Sequence, residues 1–107
     1  MSVNRGDIHV FNPPKNGKHE IQGKRFAVVI QSDSLANRSV IIVAPTSQSA
    51  REASIRPDIL VHQQSTKVLV EQMSAISIER LGKKIGRVEI DEQWAIDDAI
   101  QAVLGLN

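Results

Sequence analysis

The sequence contains no cysteine, and this absence excludes several kinds of site at once. Disulfide frameworks, thiolate zinc sites and thiol nucleophiles all require a cysteine side chain. No apolar run reaches the ~18 residues that a membrane span needs. The first residues also lack the apolar stretch of a secretory signal. We therefore expect a protein of the cytoplasm that does not enter the membrane.

Aromatic residues are scarce and the net charge is close to zero. Phe11, Phe26 and Trp94 are the aromatic residues of the chain, fewer than a protein that stacks single-stranded bases usually has. The formal net charge is +1, whereas proteins that bind nucleic acid without sequence preference are usually far more basic. Any basic surface must therefore be local. One basic cluster is visible, and it comprises Lys15, Lys18, Lys24 and Arg25.

The length of 107 residues predicts a single domain, residues 1–107, with one hydrophobic core. The apolar share of 41% and the charged share of 23% are typical of a globular protein. A domain of this size has little material with which to enclose a deep site. We therefore expect an active site that is a shallow cleft or that lies at a subunit interface.

Short apolar stretches separated by turn residues predict a mainly β fold. Helical turns are expected at 32–37 and 78–81, and residues 47–57 are polar and without periodicity, which indicates an exposed loop. The strands are predicted at 7–11, 26–30, 40–44, 59–61, 68–70 and 84–88.

The last segment is the one clear amphipathic helix. Asp91 suits its N-cap, and Gly105 is placed to end it. Trp94 lies close to the apolar face and is expected to pack onto the sheet. That face is formed at helical spacing by Ile96, Ala99, Ile100, Val103 and Leu104. Many short strands followed by one helix favour a small β-barrel, or a strongly bent sheet, of the mainly β (α+β) class with the helix across it.

Histidine is the most versatile acid–base residue in the chain, and three are present: His9, His19 and His62. Two histidines can act as an acid and a base in RNA cleavage because they titrate near neutral pH. His9 alternates with apolar neighbours in a strand and is expected to be half exposed. Nothing in the spacing brings any two of the three together, and no common catalytic signature is present.

Several motifs occur in a fixed order along the chain. They are Arg5-Gly6-Asp7-Ile8, the stretch from His19 to Phe26, Ile30-Gln31-Ser32-Asp33, Pro45-Thr46-Ser47, the stretch from Val68 to Met73, and Arg80-Leu81-Gly82 followed by Ile85-Gly86-Arg87. In this order they resemble the MazF/PemK toxins of type II toxin–antitoxin systems along nearly the whole chain. Each motif alone is weak, but together and in register they are fairly specific.

The resemblance implies a barrel related to the SH3 type and a homodimer that cleaves single-stranded RNA at short preferred sequences. It also implies that the enzyme uses no metal or other cofactor and is inhibited by a cognate antitoxin protein. By position, Arg25 and Thr46 match the catalytic pair of the family, and Glu20 is a further catalytic candidate. The expected RNA contacts are Gln22, Lys24, Lys15, Lys18, Ser47 and Gln72.

Phosphodiester chemistry indicates a role for each catalytic candidate. When a ribose 2′-OH attacks the adjacent phosphate, the enzyme must accept a proton, protonate the leaving oxygen and stabilise the phosphate charge. Arg25 suits the charge role first and proton acceptance second, because a guanidinium binds two phosphate oxygens and stays protonated. Thr46 is a plausible hydrogen-bond donor to the phosphate or the leaving oxygen. Glu20 would be the more ordinary base.

The sequence departs from the family pattern at Phe26, where proline is usual. Proline would fix φ at the start of the second strand, so its absence leaves the backbone at Arg25 less restrained unless Phe26 packs inward. Two other functions remain open. A CcdB-like toxin binds DNA gyrase, but the end of the last helix lacks the bulky aromatic residue expected for that role. A noncatalytic RNA-binding barrel is the second alternative.

Overall fold

The structure is a computed structural model that describes residues 3–12, 25–35 and 39–107. These residues form seven strands and one long helix, with three single 3₁₀ turns between them. The strands are β1 Asp7–Phe11, β2 Phe26–Val29, β3 Val40–Ser47, β4 Asp58–Val61, β5 Gln64–Val68, β6 Ser74–Ser77 and β7 Leu81–Arg87. The 3₁₀ turns are Asp33–Leu35, Val70–Gln72 and Ile78–Arg80, and helix α1 is Ile90–Leu104.

The strands form one antiparallel sheet that curls into a half-barrel. The strand order is β4-β5-β3-β2-β1-β7, and β6 pairs with β3 outside this path. Strand β3 is long enough to have three partners. Its first half pairs with β6 (Val43↔Ser74), its end pairs with β5 (Thr46↔Val68), and β2 lies along its other edge (Val28↔Ala44). The prediction of a small barrel-type β fold with a C-terminal helix is confirmed.

Both faces of the central strands are buried, and each face has its own apolar cluster. Ile8, Val28, Ala44 and Val68 belong to the larger cluster, which the α1 residue Ile96 completes. The opposite face buries a smaller cluster. Its buried members are Ala27, Val29, Ile41, Val43, Ile76 and Leu81. This two-sided burial explains why the second and third strands read as continuous apolar runs in the sequence.

Helix α1 starts earlier than the sequence predicted. Its N-cap is Glu89 and not Asp91, because the Glu92 side chain accepts a hydrogen bond from the Glu89 amide (2.8 Å). The second oxygen of Glu92 accepts from the amide of Leu60 in the edge strand β4 (2.8 Å), which joins the helix to the sheet. Gly105 ends the helix as predicted, in the left-handed conformation with φ at 70°.

Trp94 is the clearest error of the sequence-based prediction for the helix. Its side chain is 63% exposed, so it is not the aromatic residue that packs onto the sheet. Ile96 and Ala99 are buried, and Ile100 and Val103 pack against them, whereas Leu104 is exposed. The apolar face is therefore correct at four of its five predicted positions.

The segment from His62 to Ser77 also differs from the prediction. His62 and Gln63 both have positive φ and form a tight hairpin turn between β4 and β5. The polar stretch after this turn is strand β5, in which Thr66 and Val68 point inward. The predicted strand at 68–70 is interrupted, because Val70–Gln72 forms a 3₁₀ turn and β6 follows it.

Candidate functional site

Two of the three predicted catalytic residues, Arg25 and Thr46, lie at one end of the curled sheet. Strand β2 begins there directly after Arg25, and β1 and β3 end there at Phe11 and Ser47. We call this region the Arg25 edge and define it by Phe11–Asn12, Arg25–Phe26, Thr46–Ser47, Lys67 and Arg80. The connection 13–24 leaves β1 and returns to β2 at this edge.

Five predicted site residues belong to that connection. Glu20, the candidate base, and the expected RNA contacts Lys15, Lys18, Gln22 and Lys24 all lie outside the described residues. His19 also lies outside them. The roles assigned to these side chains therefore stay predictions.

The backbone of Arg25 is held by β1. Its carbonyl accepts a hydrogen bond from the amide of Phe11 (2.8 Å), which continues the β1–β2 pairing one residue beyond the strand. Its side chain is partly exposed. Within the described ranges no carboxylate forms an ion pair with it. A partly exposed guanidinium on a fixed backbone suits the recognition of a phosphate.

The strand register determines which predicted residues lie next to Arg25. Ala27 pairs with Pro45, so continuing the register by two residues places Ser47 opposite Arg25. Ser47 was predicted as an RNA contact, and its position across from Arg25 is compatible with that role. Thr46 lies opposite Phe26 instead. Because side chains alternate along a strand, Thr46 and Arg25 belong to opposite faces of the sheet as far as the regular pairing extends.

The Thr46 hydroxyl already has a hydrogen-bond partner in this structure. It donates to the carbonyl oxygen of Phe26 (3.1 Å), and the residue is only 5% exposed. A hydroxyl has one proton, so this bond leaves Thr46 with acceptor lone pairs only. Donation to a phosphate or to a leaving oxygen would require the hydroxyl to turn away from Phe26. In the present geometry, Thr46 fastens the start of β2 to β3, immediately beside Arg25.

Phe26 occupies the position where the family pattern has proline. Its ring packs against the larger apolar cluster and contacts the His62 ring edge-on, with 6.1 Å between centroids. Together with the bond from Thr46 to its carbonyl, this packing holds the backbone after Arg25. The inward packing that the sequence required of Phe26 is therefore present.

Arg80 is a further cationic residue at the Arg25 edge. It was not predicted as a site residue from the sequence. Its Nε donates to the carbonyl of Asn12 (3.2 Å), and its guanidinium lies 4.9 Å from the centroid of the Phe11 ring. The Arg-Leu-Gly motif contained Arg80, but only the pairing of β1 with β7 places it beside the end of β1.

Lys67 is the third cation of the edge, and its charge is offset. Its Nζ contacts Asp58 (2.8 Å) and Glu52 (2.7 Å). The hydrogen bonds that Lys67 donates, first of all the one to Asp58, raise the pKa of Lys67, and the same bond lowers the pKa of Asp58. Lys67 therefore holds the neighbouring loop, and the cations of the edge without a described acidic partner are Arg25 and Arg80.

Gln72 lies close to β3 but on a separate element. It is the exposed last residue of the turn Val70–Gln72, and its amide donates to the carbonyl of Leu69 (2.9 Å). The Leu69 amide in turn donates to Pro45, the residue before Thr46 (2.8 Å). The turn thus places Gln72 alongside the strand that carries Thr46 and Ser47.

The histidines do not form an acid–base pair in the described residues. His9 is fully buried, not half exposed as expected, and its Nδ1 lies 3.0 Å from the carbonyl oxygen of Gly82. His62 is exposed in the β4–β5 turn and contacts Phe26. The two residues are associated with opposite faces of the sheet, because His9 pairs with Ala27 of the smaller cluster and Phe26 packs on the larger one.

Two further observations concern metals and membranes. Within 3–12, 25–35 and 39–107, no three His, Cys, Asp or Glu side chains are grouped so that they could hold a metal ion. In the same part of the chain, no helix has the length and apolar character to cross a bilayer.

Comparison with known proteins identifies the family. Residues 4–104 match the family of PemK-like, MazF-like toxins of type II toxin–antitoxin systems. The chain belongs to this family. Among the curated members, a candidate toxin of Mycobacterium tuberculosis is 37% identical over 97 residues, which cover 90% of each protein. Endoribonuclease MazF of Staphylococcus epidermidis is 26% identical over 112 residues, covering 98% of this chain and 93% of that protein.

Solved structures of PemK/MazF toxins have the same fold. The Mycobacterium tuberculosis toxin MazF-mt6 superimposes with a TM-score of 0.76 at 17% identity, covering 94% of this chain and 98% of that one. A MazE–MazF structure from Deinococcus radiodurans gives a TM-score of 0.79 at 16% identity, with coverage of 98% and 97%. The PemK/MazF resemblance predicted from the sequence motifs is thus confirmed, and so is the fold that it implied.

Proposed function

We propose that this PemK/MazF-family toxin is an endoribonuclease that cuts single-stranded RNA at short preferred sequences. The observation that carries the proposal is the placement of Arg25 on a backbone held by β1, with Ser47 opposite in the continued register and Thr46 of β3 bonded to the next residue. The relative named Endoribonuclease MazF supports the same activity.

The proposed reaction uses the 2′-OH of the substrate as the nucleophile. Arg25 binds two oxygens of the scissile phosphate and stabilises the charge of the pentacovalent transition state. Glu20 accepts the proton of the 2′-OH. Thr46 turns its hydroxyl from the Phe26 carbonyl toward the phosphate or the leaving 5′ oxygen. Arg25 reaches the same phosphate because it precedes the first residue of β2, where the regular alternation of faces no longer applies. The products are a 2′,3′-cyclic phosphate and a free 5′-OH. The leaving oxygen takes up a proton from solvent, Glu20 releases the proton that it accepted, and no water is consumed.

The test is cleavage of a long single-stranded RNA with and without EDTA, with the cut ends mapped and their chemistry determined. We expect recurring short cleavage sequences, cyclic phosphate ends and no effect of EDTA. Arg25→Ala should abolish cutting. A 2′-deoxy nucleotide at the cut position should protect the strand. Intact RNA would contradict the proposal, and a DNA supercoiling assay would then test the gyrase-binding alternative.

The Glu20 role has its own test in the pH dependence of the rate. Glu20→Gln should remove the acidic limb of the pH–rate profile, because the amide cannot accept the proton. Arg25→Lys should lower the rate at every pH while leaving that limb in place, since lysine keeps the charge but loses the planar fork. An unchanged acidic limb in Glu20→Gln would assign the base elsewhere.

We further propose that the toxin acts as a homodimer under the control of a cognate antitoxin. Val40 and Ile42 are exposed on one face of β3, and their partners Ser77 and Ala75 in β6 are exposed as well. Such an apolar ribbon beside an edge strand is suited to pairing with a second copy. Ile42→Glu should convert the dimer to a monomer in sedimentation analysis. A mycobacterial endoribonuclease of similar structure has been solved in complex with its cognate antitoxin, which supports the proposal of an antitoxin partner.

A further inference from the structure

The loop between β3 and β4, residues 48–57, lies directly after Thr46 and Ser47, and hydrogen bonds and ion pairs connect it to neighbouring elements. None of its residues belongs to either buried apolar cluster. Most are exposed, including Arg51. A loop that lies outside the apolar clusters depends largely on hydrogen bonds and ion pairs for its conformation.

The Arg56 side chain makes three hydrogen bonds, more than any other side chain of the loop. Its Nε and Nη2 both donate to one oxygen of Glu71, at 2.9 and 2.8 Å. Its Nη1 donates to the carbonyl oxygen of Arg51 (3.1 Å). One guanidinium therefore fastens the loop to the turn Val70–Gln72 and also fixes the backbone at the cationic residue Arg51.

Glu71 is suited to act as a fixed anchor. Its side chain is 24% exposed and that of Arg56 is 25% exposed, so the pair is more shielded than a typical surface ion pair. The hydrogen bonds from Arg56 hold the pKa of Glu71 below its usual value, so the carboxylate is ionised at neutral pH. Its other oxygen is buried and has no partner in the described part of the chain, so its charge is offset mainly by Arg56.

The position of the pair links the loop to two predicted RNA contacts. Gln72 follows Glu71 directly in the chain, and Ser47 immediately precedes the loop. Lys67 holds the middle of the loop through Glu52, and Gln48 donates to Gln64 (2.6 Å). The Arg56–Glu71 pair joins the loop to the element that bears Gln72.

We infer that Arg56 is a positioning residue that determines which RNA sequences are cut, by holding loop 48–57 so that Arg51 faces the bound strand beside Ser47. The inference depends on the proposed ribonuclease activity. A loop held in one conformation presents Arg51 at one place along the RNA. A loop released from Glu71 presents it at several, so cleavage spreads to sequences that the wild type rejects.

The test compares Arg56→Gln, Arg56→Lys and Glu71→Gln with the wild type. Arg5→Gln is the matched control, because Arg5 also joins a carboxylate (Asp97, 2.5 Å) and a backbone carbonyl (Ile30, 2.9 Å) at similar exposure but does not contact the loop. Cut sites are counted by sequencing on a long RNA, and kcat and KM are measured on a preferred and a rejected oligonucleotide.

In Arg56→Gln and Glu71→Gln we expect the preference between the two oligonucleotides to fall about tenfold, mainly through KM. Arg56→Lys should restore part of it, because lysine keeps the charge but not the two-nitrogen contact with Glu71. Arg5→Gln should keep the wild-type cut sites. If the wild type is active and Arg56→Gln cuts the same sites, the role of Arg56 is overturned while the proposed ribonuclease function stands.

A second measurement does not depend on RNA cleavage. Arg51 is exposed, and trypsin cuts after arginine in segments that open locally. Under native conditions, Arg56→Gln and Glu71→Gln should be cut after Arg51 about tenfold faster than the wild type. Equal rates would show that the pair does not hold the loop and would overturn the inference. Intact RNA with every variant, including the wild type, would instead overturn the proposed function together with the role of Arg56 in RNA selection.

Discussion

Replacement of Thr46 by valine separates the structural role of this residue from its proposed chemical role. Valine has nearly the same shape and retains the buried packing, but it cannot donate to the Phe26 carbonyl. The wild-type hydrogen bond is 3.1 Å long at a site that is 5% exposed. Leaving a buried carbonyl without its donor costs about 1–3 kcal/mol. For a domain of this size, that loss lowers Tm by roughly 5–15 °C.

The effect on the reaction should be larger than the effect on folding. If the Thr46 hydroxyl donates to the phosphate or to the leaving oxygen, its removal should lower kcat by about 10²–10³-fold. Thr46→Ser keeps the hydroxyl and should stay within about tenfold of the wild type. The assay is single-turnover cleavage of an RNA oligonucleotide at 20 °C or more below the lowest Tm of the series, as a rough margin against unfolding.

Two results would refute this reasoning. A destabilised Thr46→Val variant that cleaves within about threefold of the wild type would show that the hydroxyl serves the fold alone. An unchanged Tm would show that the bond to Phe26 contributes little to stability, and that the start of β2 is held by packing instead.

Further expected outcomes concern the fold outside the Arg25 edge. Burial raises the pKa of Asp7. Hydrogen bonds from the Asn4 amide, Lys84 and Arg87 together lower this pKa by more than burial raises it, so the net shift is downward. A lowered folded pKa stabilises the protein above the unfolded pKa of about 3.9, and this contribution is lost as pH falls through the folded pKa. Asp7→Asn should therefore lower Tm at neutral pH, and the difference from wild type should close below about pH 4 in thermal melts. Gly105→Ala should cost about 1 kcal/mol in urea unfolding, because φ is 70° and no atom lies within 4 Å to add a clash. Trp94→Gln should change stability by less than about 0.5 kcal/mol in the same assay, since the side chain is mostly exposed.

The sequence predicted the elements whose own pattern determines their burial. The apolar runs at Val28 and Val43 identified central strands, and the spacing of Ile96 and Ala99 identified the face of α1. It failed where burial depends on which strands are neighbours. His9 alternates with apolar residues as an exposed side chain would, yet β1 lies between β2 and β7 and both of its faces are covered.

The segment after β5 shows a second limit of sequence patterns. Ser74–Ser77 has one buried residue, Ile76, so its pattern is too weak to predict a strand. It is a strand because β3 is long enough to offer it a free edge. This kind of pairing is determined by the length of a distant partner and not by the residues of the segment itself.

The candidate site was predictable only through the family resemblance. Arg25 and Thr46 are ordinary residue types at the ends of strands, and no spacing rule selects them. The register that places Ser47 opposite Arg25, and the bond that engages the Thr46 hydroxyl, require the structure. Arg56 was missed because its partner Glu71 is 15 residues away in the chain.

The exposure of Trp94 determines what optical spectroscopy of this protein can detect. The chain has one tryptophan and no tyrosine, so both its near-ultraviolet absorbance and its intrinsic fluorescence arise almost entirely from one indole on the outer surface of α1. An indole that is already hydrated in the folded state changes its emission little when the core melts. Fluorescence-detected unfolding would therefore have a small amplitude, and circular dichroism of the sheet is the appropriate signal. By the same reasoning, quenching of this emission reports contacts at the helix surface and is not a measure of binding at Arg25.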